Sequence, residues 1–165
     1  MFVSIFAAVF LPMLVEARRA RVNEQAQRAR GGVEPRGDLY PLMRAAYPGL
    51  FLVMLIEGVW RGAPSLAVEL GGAVVFTAAK ALKWWAILAL GPAWTFRVIV
   101  VPGVPLVAAG PYRHLRHPNY VAVLGEFAGV ALLTGAKVAG PLALVLFGGL
   151  ILKRIAVEEK ALQTL

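Results

Sequence analysis

The sequence contains no cysteine, which excludes disulfides, thiolate metal sites and a cysteine nucleophile and leaves the redox compartment open. Histidine is nearly as scarce. His114 and His117 sit in the run Gly110-Pro111-Tyr112-Arg113-His114-Leu115-Arg116-His117-Pro118-Asn119-Tyr120, where neighbouring arginines repel cations and further ligand-type side chains are lacking, so a metal site is not expected. Charge is sparse too: 16% of the 165 residues are charged against 59% hydrophobic, too apolar for a soluble domain of ordinary composition. The rarer sign is negative, with 9 acidic against 17 basic residues and a net charge of +8. Such a balance suits nucleic acid, but the basic residues lie between and beside apolar runs and form no solvated stripe with interleaved aromatics. They read as topology signals, and the partner they imply is a lipid bilayer, not nucleic acid. No internal repeat, low-complexity tract or glycine-rich dinucleotide fingerprint occurs.

What is present is a series of apolar runs: Met1 to Val15, Ala45 to Trp60, Leu66 to about Trp85, Val121 to Thr134 and Pro141 to Ile155. The first extends through Ala17 and Ala20 if the arginines snorkel, and with no positive charge before it and no cleavage site after it, it reads as a retained span. A spanning helix takes roughly 20 apolar residues, so the chain is predicted to be a single all-α, multi-pass membrane domain over residues 1–165 with about five transmembrane helices. Glu16 to Asp38 carries Arg18, Arg19, Arg21, Arg28, Arg30 and Arg36, whereas Arg61 to Ser65 carries one arginine. The positive-inside rule then puts the N-terminus outside, the Arg61 and Lys137 turns outside, and the segment before Tyr120 and the C-terminus in the cytosol. Five prolines, at 92, 102, 105, 111 and 118, break the helical pattern between Ala86 and Tyr120 and predict a structured connection. Val98 to Val101 within it is too short to assign as strand or interfacial helix.

Three features could carry chemistry. Arg113, Arg116 and His117 precede a membrane helix whose free amides favour an anion, although an interfacial anchor of arginines and tyrosines is equally well supported by that cluster alone. Arg154 and Glu158 stand four residues apart on one helix face, and taken alone they read as a surface ion pair worth a few tenths of a kcal/mol. Glu126 lies one to two turns inside the fourth apolar run, where an unpaired carboxylate costs roughly 3 kcal/mol or more, and should face the bundle interior with a partner. Glu57 and Glu69 are expected near the opposite boundary, and Lys80 and Lys83 to snorkel to the cytosolic surface.

Gly110-Pro111-Tyr112, then Arg116-His117-Pro118-Asn119-Tyr120, then a helical hairpin, then Arg154 with Glu158-Glu159 resembles the signature of the isoprenylcysteine carboxyl methyltransferase family. Arg21-Val22-Asn23-Glu24, Gly32-Val33-Glu34, Tyr40-Pro41, Trp94-Thr95 and Val98 to Gly103 are similar to a bacterial branch linked to O-methylation of alkylpyrone or alkylresorcinol lipids. The resemblance implies S-adenosylmethionine as cofactor, held in a cytosol-facing pocket formed by the last two helices and the loop before them, within about residues 104–165. Carried over, Val104, Pro105, Leu106 and Val107 would supply backbone contacts and an apolar wall for the adenosine. Tyr112, Arg116, His117, Pro118 and Asn119 would hold the rest, and Glu158 its polar groups. Arg154 corresponds to the substrate-orienting arginine, and Glu126 joins it as the second candidate catalytic residue. The implied reaction is methyl transfer to a carboxylate or acidic hydroxyl of a lipophilic or prenylated membrane-resident acceptor. The sulfonium methyl is already activated, so alignment at about 3 Å and exclusion of water are the main tasks. The competing readings are a phospholipid N-methyltransferase, whose amine acceptor Arg154 would orient poorly, and a non-enzymatic multi-pass protein.

Overall fold

The computed structural model describes residues 1–164 as five helices. They are α1 (Phe2–Ala29), α2 (Tyr40–Arg61), α3 (Leu66–Leu90), α4 (Pro118–Thr134) and α5 (Ala139–Thr164), with short 3-10 turns at Gly91–Ala93 and Gly110–Arg113. Prolines at the first or second helical position open α2 and α4, where a missing N–H costs nothing. Gly135, at φ 67°, closes α4 in the left-handed conformation that glycine adopts without strain.

Three helices, over Tyr40–Arg61, Leu66–Ala93 and Ala139–Leu162, are long and apolar enough to cross a membrane, and α4 is apolar but shorter. The chain is thus an all-helical membrane protein. The helices outrun the apolar stretches that announce them. α1 does not give way to a loop at Glu16 but continues to Ala29, because Glu16 to Ala29 is rich in Ala, Arg, Gln and Glu and holds no Gly or Pro. It buries Glu16, Ala20 and Gln27. α3 likewise runs past Trp85 to Leu90, and α5 past Ile155 to Thr164.

Successive helices alternate in direction. The α2–α3 and α4–α5 turns lie together at one end, where Glu57 accepts hydrogen bonds from Arg61 Nε at 2.6 Å and from the amide of Ala139, which opens α5, at 2.6 Å. α3 and α4 approach most closely through small residues. A Cβ added to Gly129 would stand 2.6 Å from the Phe76 amide nitrogen, and one on Gly72 2.6 Å from that of Leu133. Where lipid gives helices no hydrophobic drive to associate, such backbone proximity supplies the packing. Across the bundle, Phe51 stacks on Phe127 at 4.5 Å and Phe127 meets Phe147 at 5.1 Å.

At the opposite end the α1–α2 and α3–α4 connections are stitched into one cap. Val33 and Val100 exchange backbone hydrogen bonds of 2.8 and 3.0 Å, an isolated antiparallel bridge, which is what the Val98–Val101 run forms. Asn23 donates to the carbonyls of Gly91 and Trp94, Gln27 to that of Pro92, and the Asp38 carboxylate accepts the Val98 amide. Arg97 pairs with Glu34 at 2.7 Å.

Candidate functional site

Two polar networks occupy the loop half of the bundle. The deeper one joins four charges from three helices. Lys83 Nζ lies 2.7 Å from Glu16 Oε2 and 3.3 Å from Glu126 Oε2, and it donates to the Tyr47 hydroxyl at 3.0 Å. Tyr47 in turn donates to Glu126. Lys80 pairs with Glu16 at 3.2 Å and with Glu126 Oε1 at 2.7 Å, the latter out of line for a hydrogen bond. Glu126 is fully buried and partnered, as an intramembrane carboxylate requires. The two lysines do not snorkel: Lys83 is 3% exposed, because two buried carboxylates give its ammonium better company than the interface would.

The shallower network centres on Arg154. It is not a surface partner of Glu158; it is buried and reaches across the bundle instead. Its Nε donates to the Tyr120 hydroxyl at 2.9 Å, one terminal nitrogen pairs with Asp38 at 3.1 Å, and the other donates to the Phe96 carbonyl. Tyr120 passes the connection on, donating to Glu158 at 2.9 Å. Beside Glu158, His117 lies 3.6 Å from Glu159, as does the exposed guanidinium of Arg116. Burial first, and then the charge of Glu158, pushes the Tyr112 phenol well above its ordinary range, so it stays protonated. Asn119 accepts a long hydrogen bond of 3.4 Å from Trp94, and Pro118 is buried at the start of α4. Val104, Pro105 and Leu106 are exposed and Val107 half-buried.

A cavity of about 730 Å³ touches both networks. Arg154, Tyr120 and Asn119 line its loop end, Tyr47, Lys83 and Glu16 its deeper wall, and Phe6, Phe10, Leu11 and Leu14 of α1 its apolar flank. Of the residues expected around a cofactor, Asn119 lines this cavity, whereas Val104 to Val107, Tyr112, Arg116, His117, Pro118 and Glu158 do not. The bundle therefore offers a partly open, largely apolar cavity and a polar loop face, linked by the Arg154–Tyr120–Glu158 relay.

Sequence reasoning missed Asp38, Glu16 and Tyr47. Asp38 leaves a local trace, since its carboxylate accepts the Tyr40 amide at the start of α2, the behaviour of an acid two residues ahead of a helix-opening Tyr-Pro. Glu16 and Tyr47 leave none, because their partners are far apart in the chain.

The chain is 33% identical over 163 residues to the uncharacterized protein YpbQ of Bacillus subtilis, covering 99% of this chain and 97% of that protein. An uncharacterized protein of Haemophilus influenzae is 23% identical over 165 residues, 99% of this chain and 94% of its own length. No solved structure matches. The sequence pattern of a family of methyltransferases matches residues 72–164, from α3 to the end of α5 and thus across Lys80, Lys83, Glu126, Arg154 and Glu158. The chain belongs to the isoprenylcysteine carboxyl methyltransferase family.

Proposed function

We propose that this protein transfers a methyl group from S-adenosylmethionine to an anionic or acidic oxygen of a lipophilic acceptor drawn from the bilayer. The observation that carries the proposal is Arg154, a buried guanidinium at the loop end of a cavity whose flank is formed by apolar side chains of α1. The side chains at the loop surface fit the cofactor's chemistry. Glu158 and Glu159 beside His117 and Arg116 offer both charge signs that a zwitterionic amino-acid group requires, and exposed Val104 and Leu106 offer apolar surface for a nucleobase. When bound, the cofactor supplies an already electrophilic methyl group.

The protein's own work is then positional. Arg154 has five N–H donors, of which one meets Tyr120, one Asp38, one Phe96 and one only the weakly accepting Met43 sulfur at 3.8 Å. That leaves donors for an acceptor oxygen, while Asp38 and Tyr120 fix the plane of the fork. Trp94, Phe96 and Tyr40 line the same end and keep water from the oxygen. Glu126 serves in this scheme as the internal counter-ion of Lys80 and Lys83.

Methyl transfer from labelled cofactor should be measured into a farnesylcysteine analogue, a long-chain alkylpyrone and phosphatidylethanolamine, alongside calorimetric binding of S-adenosylhomocysteine. Oxygen acceptors should turn over, and His117→Ala and Glu158→Ala should weaken cofactor binding about tenfold or more, the loss of one charged hydrogen-bond partner. Turnover of the phospholipid alone would overturn O-methylation in favour of an amine acceptor.

A further inference from the structure

The end of the bundle opposite the cap holds a second cavity, of about 410 Å³. Trp60, Arg61 and Pro64 line it from the α2–α3 turn, and Gly135 and Lys137 from the α4–α5 turn. The two turns touch: a Cβ on Gly135 would stand 3.4 Å from that of Pro64. Glu57 braces them together, accepting Arg61 Nε at 2.6 Å and the amides of Val138 and Ala139 at 3.1 and 2.6 Å, but it does not line the cavity. The walls therefore carry two cations and no acidic side chain.

Hydrogen-bond accounting shows what those cations lack. Arg61 gives only its Nε proton to Glu57, so the N–H bonds of its two terminal nitrogens have no partner among the described residues. The exposed Lys137 ammonium likewise meets no carboxylate or other acceptor among them. Neither belongs to the charge excess that orients a membrane protein, because the arginine-rich stretch from Arg18 to Arg36 lies toward the opposite end.

Their depth is set by α2. The span Tyr40–Arg61 is long and apolar enough to cross a bilayer, and it ends on Trp60 and Arg61. Trp60 is 82% exposed, with the Arg61 guanidinium 5.8 Å from its ring centroid, the placement of an indole at head-group level. The anion that a bilayer offers there is a lipid phosphate, whose non-bridging oxygens suit a guanidinium and an ammonium together. A choline or ethanolamine head group would bring a cation of its own, for which these walls hold no carboxylate.

We propose that this cavity binds an anionic phospholipid, its phosphodiester held by Arg61 and Lys137 and the rest of its head group uncharged, as in a phosphoglycerol. Val53, Ile56 and Trp60 share one exposed face of α2, along which the acyl chains run. The site lies apart from the Arg154 cavity and does not rest on the reaction proposed for it.

With no cysteine in the chain, a local reporter is simple to place. Ser65→Cys, exposed and next to the cavity, carries an environment-sensitive fluorophore, and the detergent-solubilised protein is titrated with short-chain phosphatidylglycerol, phosphatidylcholine or inorganic phosphate. Phosphatidylglycerol should bind about tenfold more tightly than phosphatidylcholine, as expected for charge-assisted hydrogen bonds, and phosphate alone should leave the signal unchanged. Lys137→Gln, at an exposed position without a partner, should melt like the parent and reduce the preference to within about threefold. Adding Arg61→Gln should abolish it. Equal binding of the two lipids by the parent, or a preference that survives in the double variant, would overturn the proposal. Phosphate binding as tightly as phosphatidylglycerol would overturn it too, in favour of a site for a free anion.

Discussion

Replacing Lys83 by methionine separates a buried charge from its partners with almost no change of shape. Methionine matches the lysine stem in length, so no cavity is created. Three interactions disappear, at 2.7, 3.0 and 3.3 Å, and Glu16 and Glu126 are left to share Lys80 at a depth where both are under 2% exposed and water cannot replace the ammonium. Removing one partner from a buried ion pair costs about 3 to 5 kcal/mol. For a chain of this size that corresponds to a fall in melting temperature of roughly 6 to 20 °C. Thiol-reactive dyes have no cysteine to report on, so the assay is intrinsic tryptophan fluorescence during heating in detergent, with Trp84 next to the site of change. Lys83→Met combined with Glu16→Gln restores charge balance, one carboxylate facing one ammonium, and should melt above Lys83→Met alone. A Lys83→Met protein melting within about 2 °C of the parent, or strict additivity in the double variant, would refute the view that these four charges form one network.

Three other outcomes are expected. Gly129→Val should destabilise by at least about 2 kcal/mol because its side chain meets the Phe76 backbone, whereas Gly149→Ala, with nothing within 4 Å, should be neutral or stabilising by up to about 1 kcal/mol; thermal melts of the two decide it. Burial opposes ionisation of Glu34, but the hydrogen bonds from Arg97 and Arg28 outweigh it and depress its pKa; a group depressed on folding stabilises above its unfolded value near 4.5 and loses that contribution as pH falls through the folded value. Amide exchange at Val33 and Val100 should therefore accelerate as the pH falls below 4.5, and in Glu34→Gln this acid-induced step should vanish. Reporter fusions at the C-terminus and in the Lys137 turn should give opposite orientations, cytosolic and external respectively; matching orientations would remove the alternating arrangement as it sits in the membrane.

The parts of this fold that were legible in the sequence are those where local signals coincide. α2 opens at Tyr40-Pro41 and closes before Gly62, and its apolar run ends at nearly the same place, so composition and punctuation agree. α1 is the opposite case. Its apolar run stops at Val15, yet the helix continues for another three to four turns of good helix formers, and hydropathy alone mistakes that stretch for a loop. The mistake hid Glu16, and with Glu16 the reason Lys80 and Lys83 stay inside. Glu126 was recognisable as a buried group in need of a partner, since that follows from solvation, but the identity of the partner depends on how α3 packs on α4, which glycine spacing suggests only after the pairing is known. Arg154 shows the same limit. Glu158, one turn away, is the partner that helix periodicity offers, while the structure gives it Asp38, 116 residues earlier.

That long reach gives Arg154 a scaffold role beside the acceptor-holding role proposed above, and the two can be told apart. Through Asp38, which also accepts the amides of Tyr40 and Val98, the guanidinium ties α5 to the start of α2 and to the α3–α4 connection, so Arg154→Ala frees the cap as well as removing a donor fork. A cap held by charge alone tolerates Arg154→Lys, because an ammonium still satisfies Asp38. An acceptor oxygen held by the plane of the fork does not, because a point charge on a flexible stem cannot offer Tyr120, Phe96 and an acceptor three directed donors at once. The lysine variant is therefore the informative one. Slow Val100 exchange with turnover lost assigns Arg154 to the acceptor, and slow exchange with turnover retained assigns it to the scaffold. A position that joins cap, cavity and the Tyr120–Glu158 relay in one side chain also explains why the polar end of this bundle is assembled from both halves of the chain: α5 supplies the guanidinium, but only the α1–α2 connection supplies the carboxylate that holds it in plane.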